Sequence, residues 1–186
     1  MTPFLILLVL ILLNLIVIAV GIFFILEVIG AVIAPVPFVP VPRSVVAAIM
    51  NLLPLEHGGT LYDLGSGDGR VVFAAAHQYP QATAIGVEKA PLPFLLAWWH
   101  AHIHAHTNAR TLRQDLFKTS LSNASVVFMY LMPNVLERLY PKLVKELAKG
   151  TPVISCDFTF KDREVSHIIP VLNGKKRSHT LYVYEF

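Results

Sequence analysis

Apolar residues follow two regimes along this chain. From Phe4 to Leu26 they run without a single charge, and Asn14 is the only strongly polar side chain among them. A helix over that stretch reaches roughly 34 Å at about 1.5 Å per residue, enough to cross a hydrocarbon core of about 30 Å. Beyond it, short apolar runs alternate with stretches of helical period. Ser44 is placed to cap a helix over Val45–Leu53, ended by Pro54 and the pair Gly58-Gly59. Strands are predicted at Thr60–Leu64, Ala82–Val87, Ala109–Arg113, Val126–Leu131 and Pro152–Phe158, the fourth being the most apolar and therefore central. Helices are predicted between them, from Gly69 to Tyr79, Pro93 to Ala105 and Asn134 to Lys149. Val165–Leu172 and Thr180–Phe186, joined at Asn173-Gly174, read as a terminal β-hairpin. The alternation predicts an α/β fold, a mostly parallel sheet covered on both faces and finished by an antiparallel hairpin.

A cleaved signal peptide is the nearest competitor for the first stretch. Its n-region would lack Lys and Arg, the apolar run exceeds the usual length, and Pro35 follows the small-residue site Val32-x-Ala34. A retained transmembrane anchor at residues 4–33 is therefore expected. The first arginine is Arg43, which speaks against a mitochondrial presequence. Residues 34–43 hold four alternating prolines in Ala34–Pro42, a stiff extended strap, and residues 44–186 form the main domain.

Composition sharpens this division. The chain has 186 residues, a mean hydropathy of +0.61 and only 15% charged residues, which excludes a disordered chain or a coiled coil. A single cysteine, Cys156, excludes a disulfide scaffold and reads as a buried core thiol. All 15 basic residues follow the anchor, a distribution that favours a cytoplasmic main domain on a single-pass membrane protein. Lys175-Lys176-Arg177 reads as a charged turn rather than a nucleic-acid patch, so no nucleic-acid partner is expected.

The chemistry sits at strand ends. Asp63-Leu64-Gly65-Ser66-Gly67-Asp68-Gly69-Arg70 falls where the first strand hands over to a helix, the place where open α/β sheets bind ligands. Its glycines allow a sharp turn, and a helix start there offers free N–H groups. Glu88 ends the second strand, where a carboxylate can accept both hydroxyls of a ribose. Asp115, in Gln114-Asp115-Leu116, ends the third and can accept an adenine amine. The third glycine comes one residue too early for a dinucleotide fingerprint, and no Lys follows as in a phosphate loop. Asp63 and Asp68 flank the turn with negative charge, which suits a cationic ligand such as S-adenosylmethionine.

This ordered set resembles the class I S-adenosylmethionine-dependent methyltransferases over about residues 44–186. The anchor, Pro37-Phe38-Val39-Pro40, Met129-Tyr130-Leu131-Met132-Pro133 and the ending His179–Phe186 are similar to the membrane-anchored protein-lysine methyltransferases of the ATP synthase c subunit or the ADP/ATP carrier, and their prokaryotic relatives. The resemblance implies a Rossmann-like seven-stranded sheet whose last strand is antiparallel. It implies that Asp63, Gly65, Ser66 and Gly67, with Asp68 beside them, cradle the methionine part of the cofactor, that Glu88 binds the ribose, and that Asp115 with Leu116 holds the adenine. Pro37, Phe38, Val39 and Pro40 are then a lid over the cofactor, and Tyr130, Met132 and Pro133 line the methyl-acceptor side. The partners expected are the lipid bilayer, through the first helix, and a protein at the membrane. The absent Arg-rich presequence favours a prokaryotic inner membrane over a mitochondrial one. A lipid or quinone-like acceptor, and an inactive nucleotide-binding scaffold, are the alternatives. No general base is identified. His100/His104 and His102/His106 are spaced one turn apart, yet the two pairs fall on opposite faces, so no metal is expected.

Overall fold

The computed structural model describes residues 3–33, 39–104, 107–173 and 177–186. Helix α1 (Pro3–Ile33) belongs to one unit, Met1–Pro37, and all later elements to a second, Phe38–Phe186. Within α1 the stretch Pro3–Leu26 has a mean hydropathy of 3.3 and buries none of its surface against protein. Its one polar side chain is satisfied locally, since Asn14 Nδ2 donates to the Leu10 carbonyl one turn back (2.9 Å).

In the second unit α2 (Arg43–Met50) leads into β1 (Gly59–Leu64), α3 (Arg70–Gln78), β2 (Ala82–Glu88), α4 (Pro91–His104) and β3 (Ala109–Arg113). Then come β4 (Val126–Met129), α5 (Pro133–Glu146), β5 (Pro152–Cys156), β6 (His167–Asn173) and β7 (Arg177–Glu185). The seven strands are ordered β3-β2-β1-β4-β5-β7-β6, with β7 antiparallel to both of its neighbours and the other pairings parallel. All four residues of β4 are at most 1% exposed, as its unbroken apolar run predicts for a strand in the middle of the sheet. Side chains alternate between two cores. Leu61, Phe128, Ile154 and Leu181 pack under α2 and α3, while Leu64, Met129, Val153 and Tyr184 meet Leu136, Leu139 and Leu143 of α5.

Three boundaries differ from expectation. Helix α2 starts at Arg43 with Pro42 as its cap, and the Pro42 carbonyl takes the N–H groups of Val45 and Val46 (both 3.0 Å), so Ser44 lies inside the helix. The same helix stops at Met50, and β5 stops at Cys156, because Asp157 turns out of the strand at φ 61°. No helix forms between β5 and β6. Phe160 fills that space instead, with its ring centroid 5.5 Å from Tyr140, 5.0 Å from Tyr184 and 5.9 Å from Phe186. The turn joining β6 to β7 at 174–176 lies outside the described residues.

Asn108 holds the β2 end of the fold to α3. Its Nδ2 donates to the carbonyls of Ala76 (3.0 Å), Tyr79 (3.1 Å) and Ala82 (3.0 Å). Asn108→Ala leaves those carbonyls short of a donor, and unfolding in urea is expected to show a loss of about 2–3 kcal/mol.

Candidate functional site

The loop after β1 is built to be approached closely. Gly65 has φ 80°, and a Cβ there would lie 2.9 Å from Leu131 Cδ2. That contact sets the β1 loop directly against the segment after β4. Gly65→Ala combines a left-handed backbone with this overlap, so a loss of about 1–3 kcal/mol is expected in a thermal melt, together with weaker cofactor binding by calorimetry. Gly86 of β2 has a similar role from below. A Cβ on it would meet Ser66 Oγ at 2.6 Å, so Ser66 turns inward over β2.

The loop's backbone N–H groups are not free, contrary to the expectation for a helix start. Those of Gly65 and Ser66 both go to the Val87 carbonyl (2.8 and 3.1 Å), and that of Gly67 goes to Glu88 Oε2 (3.0 Å). Gly69 donates to the Ser66 carbonyl and Arg70 to Asp68 Oδ1. A loop whose donors are spent on its own strands is no cradle for a phosphate.

The acids divide into engaged and open groups. Asp68 does not point free charge at the loop. Its carboxylate is gripped by Arg70, with Nη2 2.6 Å from Oδ2 and Nε 3.0 Å from Oδ1, and Arg70 Nη1 also donates to the Val41 carbonyl (2.7 Å). Arg70 thus ties the loop to the end of the strap. Glu88 accepts from Gly67 and from the Ala90 N–H (2.7 Å). Asp115 lies two residues past β3 and accepts from Phe117 N–H (3.0 Å) and Lys89 Nζ (3.0 Å). Burial acts to raise its pKa, but those two donors and the charges of Lys89 and Lys118 bring it below the usual value. Leu116 packs beside it against the α5-side core.

Asp63 stands apart. It is 2% exposed, and no donor among the described residues reaches its carboxylate. Burial, then Glu88 and Asp68, push its pKa well above the ordinary value. A buried carboxylate without a partner is costly, and a ligand cation placed against it offsets that cost. Ser66 Oγ, also buried and without a partner among the described residues, is the second unsatisfied group of this loop.

Of the lid, Val39 and Pro40 are exposed, while Pro37 and Phe38 lie outside the described residues. Tyr130, Met132 and Pro133 follow β4 at the carboxyl edge of the sheet. Tyr130 stacks on Phe158 (6.1 Å between centroids), Met132 is the residue preceding α5, and Pro133 opens that helix. The histidine-rich helix α4 uses its rings for packing. His100 meets Phe73 edge-on at 4.6 Å, and His102 lies 3.9 Å from the Trp98 ring with Nδ1 on the Trp98 carbonyl (2.8 Å). The His104 side chain and His106 lie outside the described residues.

Two residues at this edge escape a reading of the sequence. Asp157 follows β5 with φ 61°, next to Phe158, and its carboxylate is 2.8 Å from His179 Nδ1 and accepts the Thr180 N–H (2.9 Å). His179 is 4% exposed. Since a carboxylate only accepts, Nδ1 carries the proton and Nε2 holds the ring's lone pair. Nε2 has no partner among the described residues, and Ser66 Oγ is the only such atom there that is sealed from solvent, so Nε2 is open. Cys156 Sγ completes a group whose ligand atoms lie within 4.8 Å of one another. Burial, helped by Asp157, pushes that thiol up to about 12, so it stays protonated at neutral pH. Strand-end acids were the signal for Asp63, Glu88 and Asp115, and extending that rule to β5 would have found Asp157.

Open negative charge at Asp63, occupied loop amides and an acid at each of three strand ends fit an adenosyl ligand carrying cationic groups, and do not fit a pyrophosphate. Comparison with known proteins points the same way. The family described as the ANTKMT methyltransferase domain matches residues 63–167. A protein-lysine N-methyltransferase of Saccharolobus islandicus is 35% identical over 150 residues, covering 80% of this chain and 92% of that relative. The Xenopus laevis lysine N-methyltransferase named for the ATP synthase c subunit is 35% identical over 138 residues, 71% of this chain and 58% of its own length. The adenine nucleotide translocase lysine N-methyltransferase of Mus musculus is 40% identical over 124 residues, 64% of this chain and 53% of its own length. The chain thus spans little more than half of these animal relatives. Among solved structures, an RNA methyltransferase from Salinibacter ruber in complex with S-adenosyl-L-homocysteine superposes with a TM-score of 0.71 at 35% identity, covering 79% of this chain and 93% of that one.

Proposed function

The chain belongs to the ANTKMT methyltransferase family and is an S-adenosylmethionine-dependent methyltransferase, and from that premise we propose that it is a membrane-anchored protein-lysine N-methyltransferase. The acceptor in this reading is a protein in or beside the bilayer. The observation that carries the lysine assignment is kinship with a protein-lysine N-methyltransferase along 92% of that relative's length. Pro3–Leu26, apolar and unburied, supports the anchor. Relatives named for the ATP synthase rotor protein and the nucleotide translocase support an acceptor of the same setting.

Bound S-adenosylmethionine supplies an electrophilic methyl group for an in-line displacement. The open carboxylate of Asp63 meets the cofactor's ammonium, and Gly65, Ser66 and Gly67 let the backbone close on its methionine part. Glu88 keeps acceptor capacity for the ribose, and Asp115 with Leu116 holds the adenine edge. Asp68 contributes through Arg70, fixing the loop against Val41, rather than by touching the ligand. Val39, Pro40 and the preceding Pro37-Phe38 form the cover. At the acceptor side Tyr130, Met132 and Pro133 line the approach of the lysine. An ammonium with a reference pKa of about 10.4 must shed a proton before its nitrogen can attack. His179 Nε2 takes that proton, and Asp157 holds the ring and stabilises the imidazolium.

The test uses the full chain in detergent, isolated membranes and methyl-labelled S-adenosylmethionine, with mass spectrometry of the product. Label on protein lysine is the expected result. Label in lipid or quinone, or in RNA, replaces the acceptor, and absence of turnover favours a scaffold.

A further inference from the structure

Helix α4 presents an apolar surface to the outside. Its inward side is ordinary, with Pro91, Pro93 and Ala97 buried and the helix packed over β3 and β2. The opposite side is Leu95 (49% exposed), Leu96 (50%), Trp98 (42%), Trp99 (62%) and Ile103 (59%), with His102 among them. At about 100° per residue these positions share one arc of roughly 160°. Neither Asp, Glu, Lys nor Arg occurs between Lys89 and Arg110. Helix α5 of the same domain shows what a solvated helix needs here, since opposite its buried leucines it carries exposed Glu137, Arg138 and Lys145. Single exposed leucines are common on proteins, but a helix apolar on all sides is one that something covers.

We infer that the outer face of α4 docks on the surface of an anionic lipid bilayer. Tryptophan beside leucine and isoleucine is the side-chain set that enters the boundary between headgroups and acyl chains. The charge around it selects the occupant. β3, the edge strand under α4, carries exposed Arg110 and Arg113, and exposed Lys118 follows it. The nearby acid, Asp115, is already paired with Lys89. A second copy of the chain would set these arginines against each other, whereas an anionic membrane meets the apolar face and the basic edge together. Docking by α4 would hold the domain against the bilayer by its β3 edge, so that the catalytic cleft works at the membrane surface. This inference rests on the anchored reading given above.

Trp98 and Trp99 are the only tryptophans in the chain, and α1 has none, so intrinsic fluorescence reports on α4 alone. The full chain is reconstituted into vesicles of phosphatidylcholine and phosphatidylglycerol, with and without bromine on the acyl chains. Insertion to the headgroup–acyl boundary predicts that brominated lipid removes roughly half of the emission, with a blue-shifted maximum in its unbrominated counterpart. Emission unchanged by brominated lipid, in protein that sediments with the vesicles, overturns the docking and leaves the anchor standing. A chain that does not sediment with vesicles overturns both.

Discussion

Asp63→Asn is expected to make the ligand-free protein more stable and the enzyme nearly unable to hold its cofactor. Asp63 is almost fully buried, and its carboxylate has no donor among the described residues. Burial first, then the charges of Glu88 and Asp68, hold its pKa well above the ordinary value. The folded chain therefore keeps that proton to a higher pH than the unfolded chain does. From about 3.9 upward to the raised value the native state binds more protons, so the stability of the ligand-free protein falls as pH rises through that window. Asparagine removes the charge but keeps the shape. A gain of about 1–2 kcal/mol at pH 7 is expected, several degrees in a melt, and the decline with pH should flatten. S-adenosylhomocysteine affinity should drop at least about tenfold by calorimetry, because the ligand's ammonium loses its counter-charge. A variant less stable than the parent, or one that binds the ligand as tightly, would show that Asp63 is paired in a way this geometry does not contain.

The layout of the sheet was legible because its signals are local. Val126–Met129 is an uninterrupted apolar run, and such a run has few homes besides the centre of a parallel sheet. The glycines at 65, 67 and 69 announced the β1 loop for the same reason, since each adopts positive φ. Boundaries were less legible where two local preferences compete. Ser44 is a good capping residue, yet the Pro42 carbonyl captured the first helical N–H groups and moved the start forward.

Long-range pairings were not legible at all. Asp68 looked like free negative charge until Arg70, two residues on, folded back to neutralise it and to reach Val41. The loop amides looked available until parallel pairing of β1 with β2 delivered the Val87 carbonyl and Glu88 to them. Asp157 and His179 are 22 residues apart, and only the antiparallel return of β7 beside β5 brings them together. No periodicity encodes that contact. The left-handed backbone at Asp157 is itself a product of the tertiary fold, and strain of this kind gathers at working sites.

His179→Gln is expected to abolish most methyl transfer while leaving cofactor binding alone. The ring is buried, its Nδ1–H is fixed on Asp157, and the open Nε2 is the proton acceptor nearest the stacked pair Tyr130 and Phe158 that follows β4 and β5. The groups facing it are few. β5 brings Asp157 and the protonated Cys156, β6 sets Val171 opposite, and α2 has Arg43 as its only titratable side chain, exposed. Lys161, Asp162, Arg163 and Glu164 in the loop after β5 are all exposed. The acid limb of the rate–pH profile should therefore belong to this one imidazole. A positioned base contributes about 10²–10⁴ in rate, so kcat should fall by at least about a hundredfold in the glutamine variant. That variant should lose the acid limb and recover part of its rate at alkaline pH, where lysine sheds its own proton. Asp157→Asn keeps an oxygen for the Thr180 N–H but cannot balance an imidazolium, and a loss of about tenfold is expected. S-adenosylhomocysteine should bind both variants as it binds the parent. If instead the rate follows only the fraction of folded protein, and the acid limb persists in both variants, the pair is structural and the lysine proton leaves by another route.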